Sequence, residues 1–239
     1  MRQTNRRVVV AAVMLGTFLA ALDTSIVGTA MPTVIGQLGG MSLYSWVFSA
    51  YLLTSTTTVP LYGRLADLYG RKPLFMAAAG LFLLGSMLCG AAQSMPQLVA
   101  FRALQGFGAG GIIPVTLTIV GDLFNVEERA RMQGLFSAVW GSSAVAGPTI
   151  GGFIVDYVDW RWVFYINLPF GIASMTLFWF FLNERVERKR HAVDYAGTVT
   201  LTLGITALLI ALLEVGEGRA WSDPLVAGSL ALAVILLAL

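Results

Sequence analysis

Long apolar runs separated by short polar segments make up nearly the whole chain. The two longest intervals without a charged residue are 24–63 and 74–101. Such runs predict membrane-spanning helices, because about 20 residues of helix cross the ~30 Å of a bilayer's hydrocarbon. The pattern predicts seven complete helices and part of an eighth, at 8–32, 44–62, 74–92, 98–120, 132–155, 162–182, 195–213 and 224–239.

Between the two charge-free intervals lies a charged segment, residues 63–74, with the sequence GRLADLYGRKPL. The long apolar runs on either side predict that it is a tight turn between helices 2 and 3. Asp67 and Arg71 are four residues apart, so their side chains can pair if the segment is helical. Pro73 is well placed to begin helix 3.

The pattern G-x-L-A-D-x-x-G-R-K-x-L in this segment resembles the signature loop between helices 2 and 3 of the major facilitator superfamily. Only Leu68 departs from it, since that family usually has a basic residue there. The resemblance implies that the segment gates the cytoplasmic side of a helical bundle. The residues it implicates are Gly63, Arg64, Asp67, Gly70, Arg71 and Lys72, with Glu128 and Arg129 of the next inner loop as candidate partners.

The composition indicates an integral membrane protein. Hydrophobic residues make up 57% of the chain and charged residues only 12%, about half the charged share of an ordinary soluble domain. One cysteine, Cys89, excludes an intramolecular disulfide, and with the single histidine, His191, it cannot supply a metal cluster. We therefore expect no metal and no cofactor.

The loop charges predict the orientation. Basic residues cluster in the loops on the side of the N-terminus, and loops rich in Arg and Lys face the cytoplasm. Only Arg161 and Arg219 lie on the opposite side, and Arg102 lies within helix 4. We expect an inner (plasma) membrane protein with a cytoplasmic N-terminus. The basic residues on that side are Arg2, Arg6, Arg7, Arg64, Arg71, Lys72, Arg129, Arg131, Arg185, Arg188, Lys189 and Arg190.

Asp23 interrupts predicted helix 1, ~22 Å from the inner edge of the bilayer's hydrocarbon and ~7 Å from its outer edge. A carboxylate within a membrane helix costs about 2.5–3.5 kcal/mol, so we expect it to face protein or water. Residues 22–32, LDTSIVGTAMP, resemble the helix-1 motif of drug/proton antiporters, although Ser25 and Gly28 replace its usual Thr and Asn. The resemblance implies proton coupling; a satisfied structural acid is the alternative.

Arg102 is the sole charged residue of predicted helix 4 and lies ~6 Å from its outer end. Asp23 and Arg102 therefore lie at one depth, and we expect them to pair across the bundle. Protonation of Asp23 would then change the energy difference between two conformations. An arginine that extends to the outer interface is the alternative.

Residues 98–110 follow the pattern L-x-x-x-R-x-x-Q-G-x-G-A-G, which resembles the helix-4 motif of the same family and implicates Gln105, Gly106 and Gly108. Residues 106–111 also fit the dinucleotide-binding pattern G-x-G-x-x-G. We reject that interpretation because no strand is predicted before them. Glycines within an apolar helix instead favour close helix packing.

Residues 147–152, GPTIGG, lie within predicted helix 5. Pro148 should bend the helix, and Gly147 and Gly151 should give it a flat face for a neighbour. Together with Gly152, and with Ser143 in place of a leading glycine, they resemble the helix-5 motif of exporters that work by antiport. A generic kinked packing face is the alternative.

Residues 159–171, DWRWVFYINLPFG, resemble the W-R-W-x-F-x-I-N-x-P-x-G segment of the fourteen-helix branch of drug/proton antiporters. A short loop, 184–194, then leads into another apolar run, as the extra helix pair of that branch requires. The resemblance covers the whole chain. It implies that the chain is the N-terminal half of such a transporter and ends within helix 8.

The sequence thus predicts an all-α, polytopic membrane protein. A six-helix bundle of two inverted triplets should occupy 1–190 and two linker helices 191–239, with the C-terminal bundle missing. We expect proton-coupled efflux of small amphipathic or cationic molecules such as drugs, and no enzymatic activity. The expected partners are a small-molecule substrate, protons, the lipid bilayer and the missing C-terminal half, with no nucleic acid.

Two other functions remain open at this point: a proton-coupled uptake symporter of the same fold, and a membrane enzyme. The helix-5 motif argues against uptake, and one Cys with one His argues against an enzyme with clustered ligands. An ATP-driven pump would need its ATPase on another chain, because no G-x-x-x-x-G-K-[ST] occurs.

Overall fold

The computed structural model describes residues 5–184, 195–216 and 218–238, without the side chains of 195, 196 and 198. Those residues form α-helices and one short 3₁₀ helix at Met41–Leu43, with no strand among them. The α-helices are α1 (Arg6–Leu38), α2 (Tyr44–Tyr69), α3 (Arg71–Gly90), α4 (Met95–Leu123), α5 (Val126–Tyr157), α6 (Trp162–Tyr165), α7 (Asn167–Phe181), α8 (Tyr195–Gly216) and α9 (Pro224–Ala238).

Some of the predictions fall on residues outside these ranges. They are the basic residues Arg2, Arg185, Arg188, Lys189 and Arg190, the single histidine His191, and the division of the chain after residue 190. Predicted helix 6 corresponds to α6 and α7 together, and predicted helices 7 and 8 correspond to α8 and α9.

The charged segment 63–74 is not the predicted turn but mostly helix. α2 continues through it to Tyr69, and α3 begins two residues later at Arg71. Only Gly70 breaks the helix: its φ of 94° is a left-handed value that glycine adopts without strain. The charges of the segment therefore project from two helix ends rather than from a loop.

α1, α2, α4 and α5 are longer than the apolar pattern predicts. α1 extends to Leu38 and ends where Gly39 and Gly40 take positive φ angles. α5 begins at Val126, because Asn125 accepts from the backbone N–H of Glu128 while the Glu128 carboxylate accepts from that of Asn125. This reciprocal cap satisfies two donors at the helix start. In these four helices the apolar run marks only the central part, so it underestimates the helix length.

Six helical stretches in the described part of the chain are long and apolar enough to cross a membrane. They are α1, α3, α4, α5, α6 together with α7, and residues 199–216 of α8. α2 was predicted to span but is not among them, because residues 54–58 are all Ser or Thr and Arg64 and Asp67 follow. Part of this polarity is satisfied by α4: Thr54 Oγ1 donates to the carbonyl oxygen of Ala103 at 2.8 Å.

α4 lies at the centre of the packing, with α2 and α3 against it, while α1 packs on α5 and α7. Its glycines allow these close approaches. A Cβ at Gly106 would overlap Thr54 Oγ1 of α2, and a Cβ at Gly108 would overlap the backbone nitrogen of Phe82 in α3. The helix-4 glycines therefore allow close helix packing, as predicted.

Two apolar clusters form the core, and α1 contributes to both. Its first half, from Val9 to Leu19, packs in one cluster with Phe75, Phe82 and Phe178. Its second half, from Ile26 to Val34, packs in another with Trp160. Asp23 lies on α1 between the two clusters. The fold therefore holds a polar layer between two apolar ones.

Candidate functional site

The polar layer is built around an ion pair between Asp23 of α1 and Arg102 of α4. Arg102 Nη1 lies 2.5 Å from Asp23 Oδ2, and the two side chains are 1% and 0% exposed. This confirms that the two residues lie at one depth. It also excludes the alternative for Arg102, because a side chain that reached the interface would be exposed.

Asp23 is farther from the end of its helix than predicted. α1 continues to Leu38, 15 residues beyond Asp23, which is ~22 Å of helix rather than the ~14 Å that an end at residue 32 would give. Arg102 follows the first residue of α4, Met95, by ~10 Å of helix rather than ~6 Å. The pair forms despite these changes because both helices gained residues at the same end of the bundle.

Gln105 joins the pair into a closed triangle. Arg102 Nη1 donates to Gln105 Oε1 at 2.8 Å, and Gln105 Nε2 donates to Asp23 Oδ1 at 2.8 Å. Arg102 and Gln105 are three residues apart on α4, so both side chains lie on one helix face. The helix-4 motif had implicated Gln105, and the structure places it directly on the acid.

Asn167, the first residue of α7, supplies a third hydrogen bond to Asp23. Its Nδ2 donates to Asp23 Oδ1 at 2.9 Å and to Ser86 Oγ of α3 at 2.9 Å. Ser86 Oγ in turn donates to the carbonyl oxygen of Phe164 at 2.8 Å. That carbonyl belongs to α6, just before Ile166 separates α6 from α7. The network therefore connects α1, α3, α4 and the α6–α7 break.

α2 closes the site over the arginine. The guanidinium carbon of Arg102 lies 4.1 Å from the ring centroid of Tyr51, and Arg102 Nε donates to the carbonyl oxygen of Val47 at 3.4 Å. An aromatic face stabilises a cation that has lost its water. All the donors and the ring act on a pair without solvent, where electrostatic interactions are stronger than at a surface.

The energetics of this layer favour function over simple stability. Removing two charges from water costs several kcal/mol per ion, and the attraction between them returns little more than that cost. Hydrogen bonds from Gln105 and Asn167 offset part of the remainder. One buried acceptor, Asn167 Oδ1, has no hydrogen-bond partner. An apolar layer would give the fold similar stability more simply, so the charges call for another explanation.

At the α2–α3 end of the bundle, Arg71 lies between two acids. Its Nε lies 3.0 Å from Asp122 Oδ2 at the end of α4, and its Nη2 lies 3.9 Å from Asp67 Oδ1. The predicted pairing of Asp67 with Arg71 is present, but Asp122 is the nearer partner and was not predicted. Arg64 is exposed and takes no part in the ion pairs described there, and a Cβ at Gly63 would meet open space.

Glu184, after the end of α7, caps the start of α3. Its two carboxylate oxygens accept from the backbone nitrogens of Arg71 at 2.7 Å and Lys72 at 2.8 Å. Lys72 Nζ donates a hydrogen bond to the carbonyl oxygen of Leu182 at 2.8 Å and faces the ring of Trp179. A carboxylate at a helix N-terminus satisfies free N–H groups and is favoured by the helix dipole.

The structure does not bring Glu128 and Arg129 to the charged segment. Glu128 belongs to the reciprocal cap of α5. Arg129 donates through Nε to the carbonyl oxygen of Phe124 at 2.9 Å and through Nη2 to that of Gly121. It therefore satisfies the last carbonyl groups of α4. The resemblance implied a gating contact here, but in this conformation Asp122 holds that position.

The helix-5 motif divides between two faces. Gly147 and Gly151 face α1, where a Cβ at Gly147 would overlap Ser25 Oγ and one at Gly151 would lie 2.9 Å from Ile26 Cγ1. Pro148 is exposed, and a Cβ at Gly152 would meet open space. Of the four residues that the motif implicates, the α1–α5 contact thus requires Gly147 and Gly151. The α1 residues they face, Ser25 and Ile26, follow shortly after Asp23.

A cleft of about 340 Å³ lies between α1, α4 and α5. Phe136 and Trp140 of α5 form its aromatic part, and Thr17 and Gln133 contribute polar groups. The lining also includes Ile113, Leu117 and Ser137, and no charged residue. No group of three or more potential metal ligands occurs among the described residues.

Sequence reasoning missed five residues of these sites. Asn167 was part of the W-R-W motif but was given no role. It is a polar residue within an apolar run, and that could have indicated a buried hydrogen-bonding function. No local sequence pattern indicated Tyr51 or Ser86, since their contacts with the polar layer depend on which helices pack together. Asp122 and Glu184 lay outside the predicted helices and were given no role. The five residues are Tyr51, Ser86, Asp122, Asn167 and Glu184.

Comparison with known proteins identifies the family of this chain. The family model of the Major Facilitator Superfamily matches residues 13–239. The multidrug transporter protein MdtP of Bacillus subtilis is 44% identical over 234 residues, which are 98% of this chain and 43% of that protein. The efflux pump FUS6 of Gibberella moniliformis is 41% identical, over 92% of this chain and 41% of that protein. The chain thus spans less than half the length of these relatives.

Solved structures share the fold. The human organic anion transporter MFSD10 (TETRAN) superimposes with a TM-score of 0.70 at 19% identity, over 95% of this chain and 60% of that chain. A D-xylose-proton symporter superimposes with a TM-score of 0.62 at 14% identity, over 97% and 66%. At these identities the likeness concerns the arrangement of helices only.

Proposed function

Because this chain belongs to the Major Facilitator Superfamily, whose members are transporters rather than enzymes, we propose that it forms the N-terminal half of a drug/proton antiporter of the fourteen-helix branch. The names of its relatives, a multidrug transporter and an efflux pump, support export. Coverage of 43% of MdtP supports a second, C-terminal bundle in the complete transporter. The protein would lie in the inner (plasma) membrane with its N-terminus in the cytoplasm.

The observation that carries the proposal is the buried pair of Asp23 and Arg102. A membrane-embedded acid that can be neutralised by a proton is the minimum requirement for proton coupling. In the charged state, Asp23 attracts Arg102 and holds α1 against α4. Protonation removes that attraction, so the two states favour different arrangements of the helices, and a proton gradient can then drive a conformational change.

Substrate binding and proton binding occupy different places in this proposal. Asp23 is fully buried, so a substrate in the cleft does not touch it in this conformation. Direct competition, in which Asp23 binds a proton and a cationic group of the substrate in turn, would need a carboxylate that the substrate can reach. The geometry instead favours an indirect competition, in which the substrate acts on α1 and α5 and the proton acts on Asp23.

The cleft between α1, α4 and α5 is the proposed substrate site. Trp140 and Phe136 offer aromatic faces, and Gln133 and Thr17 offer hydrogen bonds. Such a lining suits an amphipathic molecule with an apolar ring system and a few polar groups. A cationic substrate would have only the aromatic faces to attract its charge.

At the α2–α3 end, Arg71 with Asp67 and Asp122 is the proposed cytoplasmic gate. The ion pairs join α2, α3 and α4 at their ends, and they are partly exposed, so they can break and re-form. Exposed pairs contribute only about 0.2–1 kcal/mol each. This is strong enough to bias one conformation and weak enough to be released in each transport cycle.

The test is substrate-induced proton release from the complete transporter that contains this chain. We expect the wild type to release protons into a weakly buffered solution when a transported drug is added. The variant Asp23→Asn should bind the drug and release none through this site. Asp156→Asn is a matched control, because Asp156 lies on exposed surface near the end of α5. Proton release by Asp23→Asn at wild-type stoichiometry would assign the coupling to another acid.

A further inference from the structure

The side-chain amide of Asn167 has a defined direction. Its Nδ2 faces two groups that accept: the carboxylate oxygen Oδ1 of Asp23, and the hydroxyl oxygen of Ser86. Ser86 has a single hydroxyl proton, which it donates to Phe164. The amide nitrogen must therefore point toward them. Its oxygen, Oδ1, consequently points away and has no partner, although Asn167 is fully buried.

The other amide that donates to Asp23, that of Gln105, cannot reverse without losing a hydrogen bond to its oxygen. Gln105 Oε1 accepts from Arg102 Nη1 at 2.8 Å, and Cys89 Sγ lies 3.6 Å from the same oxygen. Reversing the Gln105 amide would direct its N–H groups at the guanidinium of Arg102. Asn167 can reverse without depriving its oxygen of any partner. If one amide reverses when Asp23 changes its charge, reversal at Asn167 therefore costs its oxygen no hydrogen bond, whereas reversal at Gln105 does.

Besides Arg102 of α4, two ionisable side chains contact this network: Tyr51 of α2 lies over the Arg102 guanidinium, and Cys89 Sγ of α3 lies 3.6 Å from Gln105 Oε1. Among the described contacts, α5, α6 and α7 add no charged side chain. Arg102 occupies Asp23 Oδ2 at 2.5 Å. The positive charge of Arg102 repels a proton from Oδ2, so a proton that reaches the carboxylate binds Oδ1, the oxygen to which both amides donate. One of those N–H groups must then leave.

On the basis of the proposed proton coupling at Asp23, we propose that Asn167 is a positioning residue whose amide reverses when Asp23 is protonated. In the charged state, Asn167 Nδ2 donates to Asp23 Oδ1. In the protonated state, the new O–H of Asp23 donates to Asn167 Oδ1. The proton comes from water and remains on Asp23, and no other covalent bond changes.

The reversal has a consequence for the α6–α7 break. The oxygen of Asn167 then faces Ser86, whose hydroxyl can donate to it only by leaving the carbonyl oxygen of Phe164. Phe164 lies two residues before Ile166, where α6 gives way to α7. Protonation on α1 therefore changes hydrogen bonding at the point where the sixth predicted span is interrupted.

Infrared difference spectroscopy can follow the two groups separately. The complete transporter that contains this chain, with ¹³C-labelled asparagine side chains, is placed in lipid nanodiscs and shifted from high to low pH. We expect a carboxylic acid band from Asp23 to appear. We also expect an asparagine carbonyl band to move to lower wavenumber, because the carbonyl gains a hydrogen bond. Both changes should be lost in Asp23→Asn.

Variants assign the bands. Asn167→Leu should lose the asparagine shift and keep a carboxylic acid band, and Asn167→Thr serves the same purpose if the leucine variant does not fold. Ser174→Ala is the matched control: Ser174 is also buried on α7 and donates to the carbonyl oxygen of Ala12, away from Asp23. It should keep both changes.

The outcomes separate this proposal from the one on which it rests. An acid band that depends on Asp23, with no asparagine shift, overturns the reversal of Asn167 and leaves proton coupling standing. An asparagine shift that persists in Asn167→Leu belongs to another residue and also overturns it. If no acid band depends on Asp23 at any pH, both proposals fail together.

Discussion

Ser25 Oγ lies 3.0 Å from the backbone carbonyl oxygen of Ser143, across the contact between α1 and α5. The absence of a side chain at Gly147 makes this approach possible, since a Cβ there would overlap the Ser25 hydroxyl. Because Ser25 follows Asp23 by two residues, the packing of α5 and the position of the buried acid are linked. Several measurable consequences come from this and from the other contacts.

Gly147→Ala should destabilise the protein by about 1–3 kcal/mol, because the added methyl group must displace Ser25 or the α1 backbone. Gly152→Ala is the matched control on the same helix. A Cβ there meets open space, and alanine favours helix, so this variant should be neutral or slightly more stable. Thermal unfolding in detergent compares the two. Equal melting temperatures would mean that α5 does not need the close approach at Gly147.

Asp23→Asn and Arg102→Met should each destabilise the fold by about 3–5 kcal/mol, because each leaves the other charge buried without its partner. The double variant should be more stable than Arg102→Met alone, and a double-mutant cycle of unfolding free energies measures the coupling. Additive effects of the two changes would show that the pair is not coupled in the folded state.

Asp67→Asn and Asp122→Asn should slow turnover while changing substrate affinity little. Asp122 lies closer to Arg71 than Asp67 does, at 3.0 Å against 3.9 Å, so we expect the larger effect from Asp122→Asn. The stability change should stay below about 1 kcal/mol, since both pairs are partly exposed. Efflux rates and drug binding in the complete transporter give the two quantities. Weaker binding with unchanged turnover would refute the gating role.

Cysteine labelling tests the predicted orientation. Gln93, at the α3–α4 connection, and Glu127, at the start of α5, are exposed at opposite ends of α4. We expect a membrane-impermeant thiol reagent to label Gln93→Cys from outside the cell and Glu127→Cys only after the membrane is opened. The native Cys89 is buried and should contribute little background. Labelling of both positions from one side would refute the topology.

The sequence was sufficient for the fold class and for the ion pair, because both depend on strong local signals. Apolar run lengths predict membrane helices, and charges inside such runs are rare enough to stand out. Helix ends were predicted less well, since caps such as Asn125 and Glu184 extend helices into polar segments. The partners of Asp23 other than Arg102 depend on helix packing, and no local pattern shows which face of α7 meets α1.

The complete burial of Asp23 has a kinetic meaning. Its carboxylate has no contact with solvent in this conformation, so a proton can reach or leave it only when the helices around the polar layer part. Collective helix motions of this kind take microseconds to milliseconds, far longer than proton transfer between exposed groups. The exchange rate of this one proton therefore reports how often the bundle opens. In the proposed antiporter, slow exchange would also prevent the proton gradient from leaking between transport cycles.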